Sequence, residues 1–379
     1  MKLVYCIPSL EAPGGTERVL SNKVNYLAEY YGYDIYIVLT EKQMKSPYYS
    51  LYPSITVVNL NVNYNSIDSF NYFIKIVLYL IKNFVHKRRL SKFLYHIKPD
   101  VVTTLLSHEI NFLYQIADGS RKVGECHFYK DFRLSFVSTK TTNRIKIAIA
   151  KWRNKQLHSK VKKLDCLVTL TKQDCNSWKG VKNKCVISNS LPFSSLTKSD
   201  CCSQKIIAVG RYTKEKGFDL LLRVWKEIYV QRPNWSLFIY GDGELREDLE
   251  NYARLNGLKN VYLEHPVKNI QDKYIHSSFL VLPSRFEGFG MVVIEAMECG
   301  LPVVAFDCPC GPAEIISDGV DGFLVPALDL DMLKKKILLL IDSTDLRIKM
   351  GQVAVEKASL YLNKTIMKEW EQLYKSLLK

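Results

Sequence analysis

Apolar residues along this chain come in short runs, and these alternate with longer stretches whose apolar positions recur at helical spacing. Such alternation predicts βα units and a parallel sheet, because each buried strand needs a helix to cover it and to return the chain. The predicted strands of the first half are Leu3–Ile7, Ile35–Leu39, Thr56–Leu60, Val101–Leu106, Lys122–Glu125 and Cys166–Leu170. A polar stretch, Ser194–Ser203, then reads as a linker. The pattern restarts with Lys205–Val209, Ser236–Tyr240, Val261–Glu264, Phe279–Leu282 and Pro302–Ala305. A doubly wound α/β pattern stated twice predicts two domains, residues 1–198 and 199–362, facing a cleft. The last segment, Asn363–Lys379, reads as a helix that packs back on one of the two, assigned here to the first. No solenoid-length repeat and no low-complexity tract interrupts this organisation.

A length of 379 residues suits two such domains, and 47% hydrophobic with 24% charged residues is ordinary globular composition. Charge changes the picture more. The net +15 is uneven: residues 1–200 carry +16 and residues 201–379 carry −1. A field of that sign attracts phospholipid, a lipid diphosphate or nucleic acid. Nucleic acid is disfavoured, since no stacking motif or binding module accompanies the charge. Two stretches concentrate it. Tyr72–Lys98 interleaves aromatic and aliphatic residues with Lys75, Lys82, Lys87, Arg88, Arg89, Lys92 and Lys98, and Lys140–Lys163 holds nine Lys/Arg and no acid. Both read as amphipathic helices on an anionic leaflet, with Lys87, Arg88 and Arg89 as the expected contacts; a packed helix with a solvated basic face is the competing reading. The ten cysteines lie without C-x-x-C spacing, so free thiols in a reducing compartment are expected, and no metal site. The opening MKLVYCIPSL runs straight into a strand, and no window reaches ~18 apolar residues. The expected location is cytoplasmic, peripheral on the inner face of the membrane.

Three constellations carry chemistry. Pro13-Gly14-Gly15-Thr16-Glu17-Arg18 follows the first strand and opens a helix, so glycine lets the backbone come close to a ligand at a helix N-terminus. A plain turn would look the same, and the spacing is not the G-x-G-x-x-G of a dinucleotide site. Val209-Gly210-Arg211 with Lys214, Glu215, Lys216 and Gly217 puts two cations, Arg211 and Lys216, at the end of the first strand of the second half, where a leaving diphosphate would gather charge. The third runs from Pro283 to Met297. It crosses a glycine loop and enters an apolar helix, with Glu287 in the loop and Glu295 in the helix. The N–H groups of Phe289, Gly290, Met291 and Val292 would line the helix mouth and hold phosphate, with Gly288 beside them in the donor site. A glycosidase-type carboxylate pair is disfavoured, because a hydrolase has no need of the basic residues around it; a buried structural Glu295 is the bland alternative.

The run PSRFEGFGMVVIEAMECGLPVVAFDCPCGPAEIISDGVDGFLVP, from Pro283 to Pro326, resembles the donor-site signature of glycosyltransferase family 4 with its E-x7-E motif. The GGTER opening, VGRYTKEKG and YGDGELRE match that family in the same order, and the likeness spans nearly all the second half. The resemblance implies a GT-B fold of two Rossmann-like domains, retention of anomeric configuration and no metal. It assigns the diphosphate to Arg211 and Lys216, its distal phosphate to Gly15 with Gly14 beside it in the donor site, and the donor sugar to Glu287. Glu295 would meet the ribose, and Gly243, Pro266 and Val267 would lie around the nucleotide. A histidine near the reacting centre is also implied, with His127 the first choice; His108 and Glu125 would stand on the acceptor side or behind it. The implied donor is a UDP-hexose or UDP-N-acetylhexosamine; the motifs also fit GDP-mannose. The implied acceptor is a lipid-linked glycan in surface-polysaccharide assembly. A nucleotide-sugar epimerase or phosphorylase, and a silent partner subunit, are the rivals; the last should lack Arg211, Lys216 or Glu287, all present.

Overall fold

The computed structural model describes residues 1–132, 134, 135, 137 and 143–379, and they form two units: Met1–Ser190 with Asn363–Lys379, and Leu191–Leu362. In the first unit β1 (Lys2–Ile7), β2 (Asp34–Leu39), β3 (Thr56–Asn59), β4 (Val101–Thr104), β5 (Arg121–Cys126), β6 (Cys166–Thr169) and β7 (Lys184–Val186) make one parallel sheet, in the order β3-β2-β1-β4-β5-β6-β7. Its central strands are covered on both faces, which is why Val4, Tyr5 and Cys6 follow one another with no polar residue between. Helix α1 (Gly15–Tyr31) stops at Gly32, whose left-handed φ of 62° turns its N–H onto Leu27 O. Helices α2 (Tyr72–Ile97) and α3 (Arg144–Val161) start at Asn71 and Asn143, whose side chains accept first-turn N–H groups. Residues 140–142 of the second basic stretch lie outside the described residues. A short α4 (Lys172–Ser177) follows β6.

The second unit repeats the plan. Strands β8 (Lys205–Val209), β9 (Ser236–Tyr240), β10 (Val261–Glu264), β11 (Phe279–Leu282), β12 (Val303–Asp307) and β13 (Gly322–Pro326) form a parallel sheet ordered β10-β9-β8-β11-β12-β13. Its helices are α5 (Phe218–Gln231), α6 (Arg246–Leu255), α7 (Ile270–Ile275), α8 (Met291–Glu298), α9 (Pro312–Ile315), α10 (Leu330–Asp342) and α11 (Thr344–Ala358). Trp225, Phe218, Phe279, Val281 and Phe306 are among its core. In each sheet the strand order reverses between the first and fourth strands, and ligands bind doubly wound sheets at the carboxyl ends beside that switch point. Both units are thus Rossmann-like, as the hydrophobic pattern predicts.

Two edges differ from expectation. Edge strands β7 and β13 carry no sequence signal of their own: the first is three residues opening on lysine, the second begins at glycine and ends at proline. The polar stretch read as a linker belongs to the second unit, and the chain changes unit between Ser190 and Leu191 rather than after residue 198. Its polar groups are donors in that unit. Ser195 N and Lys198 Nζ both reach Glu298 Oε1 at 2.8 Å, and Ser199 Oγ reaches Ser277 O at 2.6 Å. The last helix, α12 (Asn363–Leu377), buries Ile366, Met367, Trp370 and Tyr374 with Tyr5, Leu20 and Val24 of the first unit. Among the described residues no helix is long and apolar enough to cross a membrane.

Candidate active site

At the carboxyl ends of β8 and β11, two loops are bound together by charge. The β8 loop carries Arg211 and a single 3-10 turn, Lys214–Lys216; the β11 loop carries Pro283 to Gly290. Lys216 Nζ donates to Glu287 Oε1 at 2.6 Å, and Ser284 Oγ donates to the same oxygen at 2.6 Å. Glu287 is buried. Beneath this pair Arg285 forks onto Asp219, both contacts 2.8 Å, and also donates to Lys214 O. Lys214 Nζ completes that group, 2.8 Å from Asp219. Burial pushes the Asp219 carboxyl up, but Arg285 and Lys214 outweigh it and hold the group down at about 2. Arg211 pairs with Glu215 at 3.2 Å and stands mostly in solvent.

Glycine is required where the loops touch. Gly217 has φ +71°, and a Cβ there would lie 1.9 Å from Pro283 O, so a side chain would part the two loops. Gly290, at φ +92°, turns the β11 loop into α8, leaving first-turn N–H groups such as those of Met291 and Val292 at the helix mouth. Gly288 and Phe289 precede that turn, with Phe289 buried against Tyr361. Glu295 is 3% exposed and accepts from Tyr274 OH at 3.3 Å. Gly243 has a reason within the fold, since a Cβ would come within 3.0 Å of the Tyr212 backbone. Pro266 and Val267 are exposed beyond β10.

The corresponding end of the first unit holds the other expected residues. Gly14 caps α1, and a Cβ there would collide with the Glu17 carboxylate. At Gly15 a Cβ would meet nothing within 4 Å, and the backbone is helical. Neither packing nor φ therefore demands glycine at 15. His127 follows β5, its Nε2 3.1 Å from Glu125 Oε1. Glu125 is buried behind it, and its Oε2 pairs with the buried Lys23 of α1. Burial pushes Lys23 down from its ordinary value, and Glu125 draws it partly back. Burial pushes Glu125 up, yet Lys23 and His127 override that and hold its carboxyl at about 2. The Lys23 ammonium also lies 3.9 Å from the Trp370 ring of α12. His108 lies on the 3-10 turn His108–Asn111 after β4, its ring stacked 3.8 Å from Tyr64.

Lys216, Glu287 and the mouth of α8 therefore meet in the second unit, and Glu125 and His127 meet in the first. Arg285, Asp219, Ser284 and Lys23 complete these clusters without having been singled out in the sequence. Arg285 and Ser284 stand inside the quoted motif, whereas nothing local to Asp219 or Lys23 marks its partner. The expected membrane contacts diverge: Arg89 donates to Leu60 O and Asn61 O, Lys87 donates to Gln115, and Arg88 is exposed.

Residues 200–357 match the family described as Glycosyl transferases group 1. The chain is similar to the amylovoran biosynthesis glycosyltransferase AmsD of Erwinia amylovora, 36% identical over 223 residues; that match covers 55% of this chain and 61% of AmsD. Its fold is that of S. aureus TarM, solved with Fondaparinux, alpha-GlcNAc-glycerol and UDP: TM-score 0.76, 14% identity, 98% of this chain and 99% of TarM. Sucrose-phosphate synthase of Thermosynechococcus elongatus has the same fold, with a TM-score of 0.80, 17% identity and coverage of 99% and 98%. The match to Glycosyl transferases group 1 lies in residues 200–357, and the chain has the two Rossmann-like units of the GT-B fold.

Proposed function

We propose that the chain transfers a hexose or N-acetylhexosamine, with retention, from a nucleoside-diphosphate sugar to a lipid-linked or growing glycan in polysaccharide assembly. The observation that carries this is the Lys216–Glu287–Ser284 cluster at the switch point of the second sheet, beside the mouth of α8. Cation, carboxylate and helix N-terminus are what a nucleotide sugar requires: positive charge for the diphosphate, and a fixed acceptor for sugar hydroxyls. Lys216 and Ser284 both use Oε1 of Glu287, which leaves Oε2 to accept from the sugar. As the sugar–phosphate bond breaks, charge grows on the departing diphosphate. Lys216, Arg211 and the α8 N–H groups stabilise it more in the transition state than before. His127, fixed by Glu125, is assigned to the reacting sugar, and Glu295 to the ribose. UDP is the favoured nucleotide, supported by the UDP in the TarM structure; AmsD supports a polysaccharide product.

The test is incubation of the full chain with UDP-hexoses, with and without a lipid-linked glycan extract. Release of UDP that requires the extract, with the α-anomer retained by NMR in the product, is expected. Alteration of the nucleotide sugar with no acceptor present would assign an epimerase instead.

Gly15 supplies a second expectation. Its assignment is close approach to a phosphate, and the fold leaves room for a methyl group. Gly15→Ala therefore raises stability by about 0.4–1 kcal/mol, by reducing the conformational freedom of the unfolded chain, while lowering turnover. Thermal unfolding and acceptor-dependent UDP release check the two halves; a variant as active as the parent removes Gly15 from the site.

A further inference from the structure

Among the described residues, two helices of the first unit expose apolar rows. On α2 the side chains of Val77, Leu80, Ile81 and Phe84 recur at helical spacing, with Leu80 63% and Phe84 68% exposed. Along the next two turns of the same row are exposed cations, Arg88 and Lys92. On α3, Ile145, Ile149 and Trp152 form a second row, with Ile145 71% and Trp152 61% exposed, among exposed Lys146, Lys151, Arg153 and Lys155. Both helices pack on the turn His108–Asn111. Asn111 joins them, donating to Tyr79 OH of α2 at 3.1 Å and accepting from Lys160 Nζ of α3 at 2.6 Å. The two rows therefore belong to one bridged part of the unit.

We infer that α2 and α3 together form a docking surface for an anionic phospholipid bilayer, with Val77, Leu80, Phe84 and Trp152 entering the interface and Arg88, Lys92 and Lys151 meeting phosphate. Apolar and aromatic side chains on one side and Lys/Arg on the other is the composition of helices that lie in a bilayer interface. Charge decides the occupant. Neither Tyr72–Ile97 nor Arg144–Val161 contains a single Asp or Glu, so pairing with a second copy would set like charges together. An anionic leaflet complements both helices. A shallow open groove lined in part by Arg89, Lys92 and His96 lies at the cationic end of α2. The surface is independent of the donor-site proposal, and its test reads binding rather than transfer.

The test is co-sedimentation of the full chain with vesicles of phosphatidylglycerol and phosphatidylcholine, against vesicles of phosphatidylcholine alone. Binding to the anionic vesicles is expected. Leu80→Ser combined with Phe84→Ser should lower partitioning about tenfold or more, and Arg88→Gln combined with Lys92→Gln should lower it on anionic vesicles. These positions are exposed, so the unfolding temperature should hold, which separates lost docking from lost folding. Three results would overturn the inference: no binding to either vesicle, equal binding to both, or binding indifferent to the Leu80/Phe84 change. A dimer of the parent that Leu80→Ser/Phe84→Ser converts to monomer, by analytical ultracentrifugation, would likewise assign the face to a second copy.

Discussion

Lys216→Ala lowers acceptor-dependent sugar transfer by about 10²–10³-fold, the loss that follows removal of one group preorganised for developing charge. Stability should fall less, by about 1 kcal/mol, because Glu287 keeps the Ser284 hydroxyl and the loops stay fastened by Arg285 on Asp219. Glu287→Gln is the companion change. It keeps shape and can still accept from Ser284, but removes the charge facing Lys216, so transfer falls steeply with little change in unfolding temperature. Rate and unfolding measured on the same preparations separate the two effects. If both variants transfer at the parental rate, the cluster has another role.

Lys23→Met unfolds at markedly lower denaturant, with stability reduced by about 3–5 kcal/mol, since it leaves Glu125 buried without its cation. Changing both groups, Lys23→Met with Glu125→Leu, should recover most of that loss, because a buried pair replaced by apolar side chains is close to neutral. The pH dependence has a definite sign. Glu125 is held at about 2 in the folded chain, below its unfolded value of about 4.3. Its contribution is therefore complete above about pH 4.3 and drains away as pH falls toward 2. Asp219, also held at about 2, acts in the same window. In Lys23→Met the main downward pull on Glu125 is gone and burial dominates, so acid unfolding begins at higher pH than in the parent. Denaturant titrations between pH 2 and 7, as an order-of-magnitude window around these values, check this; identical acid limbs for parent and variant would contradict the coupling of Lys23 to Glu125.

The contrast between these clusters shows what the sequence makes legible. Central strands such as Lys205–Val209 and Phe279–Leu282 are continuous apolar runs, because a parallel sheet buries both faces, and their limits in the structure are those the pattern predicts. Lys216 and Glu287 were visible because each lies in a glycine-marked loop after such a strand. Lys23 and Glu125 are 102 positions apart, and Arg285 and Asp219 are 66 apart. No local periodicity states which buried charges will meet, so those partnerships had to come from tertiary packing. The stretch Ser194–Ser203 misled for a related reason. Polar composition resembles a linker whether its groups bind water or, as here, Glu298 and Ser277. On α2 the mixture of apolar and basic residues was plain, yet only burial shows that Leu80 and Phe84 are left outside the core.

Calorimetric titration of UDP into the full chain and into Lys216→Ala decides whether Lys216 and Glu287 hold a nucleotide. Saturable one-site binding to the parent is expected, with a loss of affinity of about tenfold or more in the variant. Absence of binding by UDP and by every other nucleoside diphosphate tried, or equal affinity in parent and variant, would contradict a donor site built on Lys216 and Glu287.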